Sequence, residues 1–299
     1  MPKAPPSFAK RAAQYVTNLV VVGIIRLGLI LPYETRVKTV GRIMQYLVGP
    51  IAGYRQRALT NLAFIWPDMS RAERRTIASR CLNNVGRTFI ENYSNREFPK
   101  RLAQNPLEGP GAQALRNAAE AGRPVILITG HYGNYEAVRA ALAAQGFKVG
   151  GLYRNMQNPY FNAHYVKTME AFGGPVFAQG RKGTSGFVKH LRGGGQLVLL
   201  FDQHVFGQPI MQFLGKPTHT ATSAADLALR YDAVLIPFYG IRQPDGVSFR
   251  TVLEAPVPHS TPEEMTQQIT DSLSRRVEED PTQWFWVHRR WRVEGHSPQ

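Results

Sequence analysis

The chain has 299 residues, 43% hydrophobic and 19% charged, enough to bury a large core and without the low-complexity tracts that would mark extensive disorder. Thirty-six Lys and Arg against 21 Asp and Glu leave a formal charge of +15, which favours anionic partners: nucleic acid, an acidic membrane surface, an acidic protein or a phosphorylated substrate. Cys81 is the only cysteine, which excludes an intramolecular disulfide and a cysteine-built zinc cluster.

The first predicted element is YVTNLVVVGIIRLGLILP (15–32), strongly apolar and preceded by Lys3, Lys10 and Arg11. It is slightly shorter than the roughly 20 residues that span a hydrocarbon core, and Arg26 would cost about 2.5–3.5 kcal/mol at the bilayer centre. A tilted or monotopic helix with Arg26 snorkelling to the headgroups therefore stands beside a full span, and a buried core helix is the competing reading. No small-residue cleavage site follows Leu31, which argues against a removed signal peptide. The expected division is a membrane-associating helix at 1–32 and a second region at 33–299, helical to 108 and α/β from 109.

Helical spacing continues through RQRALTNLAFIWP (55–67), closed by Pro67, and through 69–93, where Ser70 and Glu73 form a capping-box pattern. After NPLEGPG (105–111) helix and strand signals alternate. The predicted strands are VILIT (125–129), VGGLY (149–153), PVF (175–177), QLVLLF (196–201), AVLIPFY (233–239) and FRTVLE (249–254). Helical segments near 134–145, 159–172, 183–193, 221–231 and 262–279 separate or follow them. The fold class is α/β, with a mostly parallel sheet covered by helices on both faces. Residues 202–223 show no periodicity and read as a long, functional loop. The segment PTQWFWVHRRWRV near the end combines aromatics and cations.

In TGHYGNYEA (129–137), His131 follows a buried strand and Glu136 falls in the first turns of the next helix, so the histidine stands at a strand's carboxyl end, where open α/β sheets place ligands. The turn at Gly130 and Gly133 would let the Glu136 carboxylate reach back to the imidazole. A carboxylate on one ring nitrogen fixes the tautomer and makes the other a better base, suited to deprotonating a hydroxyl. An ordinary turn or capping histidine is the alternative. With no G-x-S-x-G elbow in the sequence, the histidine would activate the substrate itself.

HYGNYE resembles the H-x4-D/E motif of the lysophospholipid acyltransferase superfamily, and the chain looks most like its late lipid A acyltransferase branch, which adds lauroyl or myristoyl chains. The likeness extends from the N-terminal helix through GLYRNMQNP (151–159) and LLFDQH (199–204) to WFWVHRRWR (284–292). It implies a catalytic dyad of His131 and Glu136, with Arg154 and Asp202 around the same site. It also implies transfer from an acyl thioester, usually on acyl carrier protein, to a lipid A precursor hydroxyl, without an acyl-enzyme or cofactor, on the cytoplasmic face of the inner membrane. In that mechanism Glu136 stabilises the imidazolium, and backbone N–H groups near Gly130–Gly133 or a nearby cation hold the oxyanion.

Arg154 suits acceptor phosphate, or equally a structural ion pair with Asp202. Arg181, with Lys182, precedes a helix start and could take an anion, or could be a solvated turn. His204, His219 and Asp202 match no familiar ligand spacing, so no metal is expected. WVHRRWR reads as an interfacial patch near anionic headgroups rather than a base-stacking surface, so the expected partners are the carrier protein, an anionic lipid acceptor and the membrane surface, not nucleic acid. Two alternatives remain: acylation of another glycolipid or an amino-acid lipid, and a non-enzymatic basic membrane-peripheral binding protein.

Overall fold

The computed structural model describes residues 7–298; Lys3 and its neighbours at the start of the chain lie outside them. Helices come first: α1 (Phe8–Ile30), α2 (Tyr33–Ile43), a π-helical stretch Met44–Val48 leading into α3 (Gly49–Ile51), α4 (Tyr54–Ile65), α5 (Arg71–Tyr93) and α6 (Phe98–Leu102). Ser70 caps α5 and Glu73 returns the bond, forming the predicted capping box. Alternation follows with β1 (Leu107–Glu108), α7 (Pro110–Glu120), β2 (Val125–Thr129), α8 (Tyr135–Ala144), β3 (Val149–Tyr153), α9 (Pro159–Glu170), β4 (Val176–Ala178) and α10 (Arg181–Arg192). The remainder is β5 (Gln196–Leu200), β6 (Ile210–Phe213), β7 (Lys216–His219), α11 (Ser223–Tyr231), β8 (Val234–Arg242), β9 (Phe249–Leu253) and α12 (Pro262–Glu279).

The seven-stranded sheet has the order β1-β9-β8-β2-β5-β3-β4. Every neighbouring pair in it is parallel except β8 with β9. β2 lies inside it, and its residues divide by parity: Ile126 and Ile128 join one apolar cluster with Leu197, Leu235 and Leu273, while Val125 and Leu127 join another with Val198, Ile236 and Leu142. Period-two alternation with both faces buried is why VILIT carries no polar position before Thr129.

Two readings of the sequence are corrected. Residues 202–223 are not an irregular loop: they contain the antiparallel hairpin of β6 and β7, with Met211 paired to Thr218. The hairpin packs on α12 and buries Met211 and Phe213 against the core, and with four residues per strand its period is too short to register in the sequence. Nor is the aromatic and basic C-terminal block an interfacial patch. Trp284, Trp286, Trp291 and Arg290 are buried, the indoles packing on one another and on Phe213 with ring centroids 5.0–6.1 Å apart.

The apolar helix α1 is not a core helix: 23 residues long and apolar enough to cross a membrane, it buries only Ile25. It touches the rest of the protein near its start, where Asn158 donates to the Gln14 carbonyl (2.7 Å) and Tyr15 packs edge-on against Tyr160, and near its end, where Gly28 lies against Ile90.

A buried ion pair ties the N-terminal helices to the sheet. Arg242 at the end of β8 binds Glu91 of α5 (2.8 Å), and Glu91 also accepts from Asn134, the N-cap of α8 (3.0 Å). Neither member of the pair has water to fall back on. Replacing Glu91→Ala should therefore cost roughly 3–5 kcal/mol by stranding the Arg242 charge, measured by denaturant unfolding, whereas breaking the exposed Arg123–Asp232 pair should cost no more than about 1 kcal/mol.

Candidate active site

β2 and β5 run in parallel with Thr129 opposite Leu200, so the residues two places further on, His131 and Asp202, emerge side by side at the carboxyl edge of the sheet. Asp202 is fully buried and takes three hydrogen bonds: from the His131 backbone N–H to Oδ2 (2.7 Å), from the Trp284 indole to Oδ2 (3.0 Å), and with His131 Nδ1 at Oδ1 (2.7 Å). Burial alone would raise its pKa. The His131 imidazole and the hydrogen bonds from it outweigh that and hold the carboxyl well below the ordinary range. An ionised Asp202 only accepts, so His131 carries its proton on Nδ1 and presents the Nε2 lone pair as a base.

The expected bond between His131 and Glu136 is absent. Glu136 is buried in the first turn of α8, where Arg139, one turn later on the same helix, binds both its oxygens (3.3 and 3.0 Å). Arg139 also donates to the carbonyls of Met169 (3.2 Å) and Gly173 (2.7 Å), so the pair fastens α8 to the end of α9. Desolvation raises the Glu136 pKa and Arg139 opposes it. A turn of helix brings Arg139 into reach without any bend in the backbone, which is why it takes the carboxylate.

Four amides of the turn, those of His131 to Asn134, are not free for an oxyanion. The backbone N–H of His131 goes to Asp202, that of Tyr132 to the Gly130 carbonyl (2.8 Å), that of Gly133 to Gln283 (3.0 Å) and that of Asn134 to Gly240 (2.9 Å). Gly130 and Gly133 serve packing instead. A Cβ on Gly130 would meet Leu273 at 2.6 Å and the Asp202 carboxylate at 3.0 Å, and Gly133 has φ +56° with the Gly240 carbonyl where a Cβ would sit.

Arg154 follows β3, one strand beyond β5 on the same sheet edge, and is exposed. The ion pair with Asp202 does not form, because Asp202 is saturated by His131 and Trp284; among the described residues Arg154 has no side-chain partner. Arg181 opens α10 beyond the edge strand β4, also exposed, with Gly180 as N-cap. It lies apart from the His131 cluster.

The residue that sequence reasoning missed is His288. Its ring lies 4.5 Å from that of His131, centroid to centroid, and its Nε2 is buried without a hydrogen-bond partner. The C-terminal block delivers it. Phe285 donates its N–H to the His131 carbonyl (3.0 Å), Asn61 of α4 binds the carbonyls of Trp286 (2.7 Å) and His288 (2.9 Å), and Arg290 binds those of Gln203 (2.9 Å) and His219 (3.1 Å). The only signal was the position of a histidine inside a tryptophan-rich block. His131, Asp202 and His288 bring possible metal-ligand atoms within 4.8 Å of one another, yet both Asp202 oxygens are already committed to N–H donors, so the group reads as a hydrogen-bonded assembly rather than a ligand set. His204 and His219 meet edge to face, 5.5 Å apart, outside that group.

Beside the histidine an apolar cavity of about 160 Å³ begins at Tyr135, whose ring is 6.1 Å from that of His131, and is lined further by Glu136, Phe161, Tyr165, Met169 and Phe172. Phe172 is buried and Met156 and Phe89 are partly exposed, so the cavity has a closed floor and an apolar mouth.

Burial, with the neighbouring His131 adding to it, lowers His288 from 6.5 to about 4. Between those values the unfolded chain binds a proton there that the native protein refuses, so stability falls as pH drops from about 6.5 towards 4 and gains nothing from this group above 6.5. Unfolding measured across that range should show the loss in the wild type and a flatter profile in His288→Gln; equal slopes would contradict the assignment.

The sequence profile of the bacterial lipid A biosynthesis acyltransferases matches residues 5–293. Among curated proteins the chain is 24% identical over 240 residues to the lipid A biosynthesis lauroyltransferase of Escherichia coli, covering 78% of this chain and 77% of that one. It is 23% identical over 304 residues to a lipid A biosynthesis acyltransferase of Haemophilus influenzae, covering 98% and 95%. With the lipid A biosynthesis myristoyltransferase of Escherichia coli the identity is 21% over 78% of this chain and 73% of the other. A match that runs almost from end to end, over a sheet edge carrying His131, makes the chain a member of the bacterial lipid A biosynthesis acyltransferase family.

Proposed function

We propose that this membrane-associated acyltransferase moves a fatty acyl chain from a thioester on acyl carrier protein to a hydroxyl of a lipid A precursor, at the cytoplasmic face of the inner membrane. The observation that carries this reading is His131, locked by Asp202 with Nε2 free, beside an apolar cavity with a closed floor. The relatives' names supply the acceptor, and the +15 charge suits a phosphorylated glycolipid and an acidic carrier.

The acceptor oxygen attacks the thioester carbonyl carbon while His131 Nε2 takes the hydroxyl proton, and Asp202 stabilises the imidazolium that forms. Collapse of the tetrahedral intermediate breaks the C–S bond, the imidazolium returns its proton to the leaving sulfur, and the ester is complete. The amides of His131 to Asn134 are engaged within the protein, so the oxyanion takes its donors from elsewhere on this edge, the Gly130 amide or side chains. Arg154, uncommitted on the same edge, fits the acceptor's negative charge or that oxyanion. Glu136 acts through Arg139, holding α8 and α9 as the walls of the acyl cavity, where each buried CH₂ contributes about 0.8 kcal/mol. Arg181, distant on the sheet edge, is left to bind anionic lipid or carrier.

Transfer from acyl carrier protein thioesters to a lipid A precursor, read by product mass, tests the assignment. His131→Ala should abolish it, and Asp202→Asn should lower kcat by roughly 10²–10⁴ with the fold retained. Glu136→Gln should instead alter KM and chain-length preference. If Glu136→Gln matched His131→Ala in kcat while Asp202→Asn stayed active, the partner assignment would be reversed. Filling the cavity with Met169→Trp should shift the preferred donor towards shorter chains, measured by competition between thioesters of different length.

A further inference from the structure

We infer that the helix running from α2 through Met44–Val48 into α3 is a second membrane-contacting element that lies in the bilayer interface alongside α1. Its outer face carries Ile43, Tyr46, Leu47, Val48 and Ile51, each 41–79% exposed. These fall at i, i+3, i+4, i+5 and i+8, an apolar stripe facing away from the protein. The opposite face is committed: a Cβ on Gly86 of α5 would meet Met44 at 2.6 Å, and one on Gly49 would meet Leu82 of α5 at 2.8 Å. A helix packed on one side and apolar on the other has the form of an interfacial helix.

Two observations name the occupant. The stripe continues the exposed surface of α1, because both helices pack on α5: Gly28 of α1 meets Ile90, Gly86 meets α2, and Phe89 between them is itself exposed. From residue 35 to residue 67 the chain has no acidic residue and carries Arg36, Lys38, Arg42, Arg55 and Arg57. Arg36 is taken up inside by Glu97 and Lys38 lies 3.7 Å from Glu34, whereas Arg42, beside the stripe, is exposed and without an acidic partner among the described residues. Anionic headgroups match that charge. A second copy of the chain does not, since a twofold contact through the stripe would bring Arg42 towards its own copy.

The inference rests on the membrane association of the whole protein, and the test separates the two. Cys81 is buried, its thiol pushed up to about 12 by desolvation, so a cysteine placed on the surface is labelled selectively. The full chain carrying Leu47→Cys or, on α1, Leu19→Cys is labelled with an environment-sensitive dye and reconstituted in phosphatidylglycerol vesicles with or without brominated chains. Both labels should shift to the blue and be quenched by bromine. A quenched label at position 19 with an unquenched one at 47 overturns the inference and leaves membrane association standing. Silence at both overturns both. A shift at 47 that ignores bromine and grows with protein concentration makes the stripe a contact between copies and also overturns it.

Discussion

Three donors on one buried carboxylate organise this molecule. Asp202 lies at the end of β5 and is bound by the backbone and ring of His131 from the end of β2 and by the Trp284 indole from the C-terminal block. A buried carboxylate without such partners would take up a proton or disrupt its surroundings; with them it stays ionised and fixes three chain segments to one point. The position of His131, its tautomer and the path of the last residues therefore have one physical cause.

The C-terminal block is best understood from that point outward. Its tryptophans are buried because they pack on one another and on Phe213 of β6, and Arg290 ties the Gln203 carbonyl, ahead of the hairpin, to the His219 carbonyl at the hairpin's end. The cations of the chain are thus divided between interior and surface. Arg290, Arg242 and Arg139 are interior and hold backbone or acid partners, while Arg154, Arg181 and Arg42 are exposed.

Much of the architecture was legible. VILIT and VGGLY coincide with β2 and β3, α12 has its predicted bounds, and the capping box at Ser70 forms. These signals are local: an apolar run, a turn residue, a helical period. The hairpin escaped because its strands are four residues long and held by contacts with α12. His131 stood out because a strand, a glycine turn and a helix surround it in sequence. Its true partner did not, since Asp202 is 71 residues away.

What the sequence by itself determined is most of the elements, their alternation and the histidine at the end of the first buried strand, all consequences of short-range periodicity and turn chemistry. Tertiary structure decided which carboxylate the base would meet. Within one helix turn Arg139 competes for Glu136, and only the register of two parallel strands brings Asp202 to His131. It also decided that a block of tryptophans and arginines would be core, because burial depends on what folds over a segment, and that is not written in the segment.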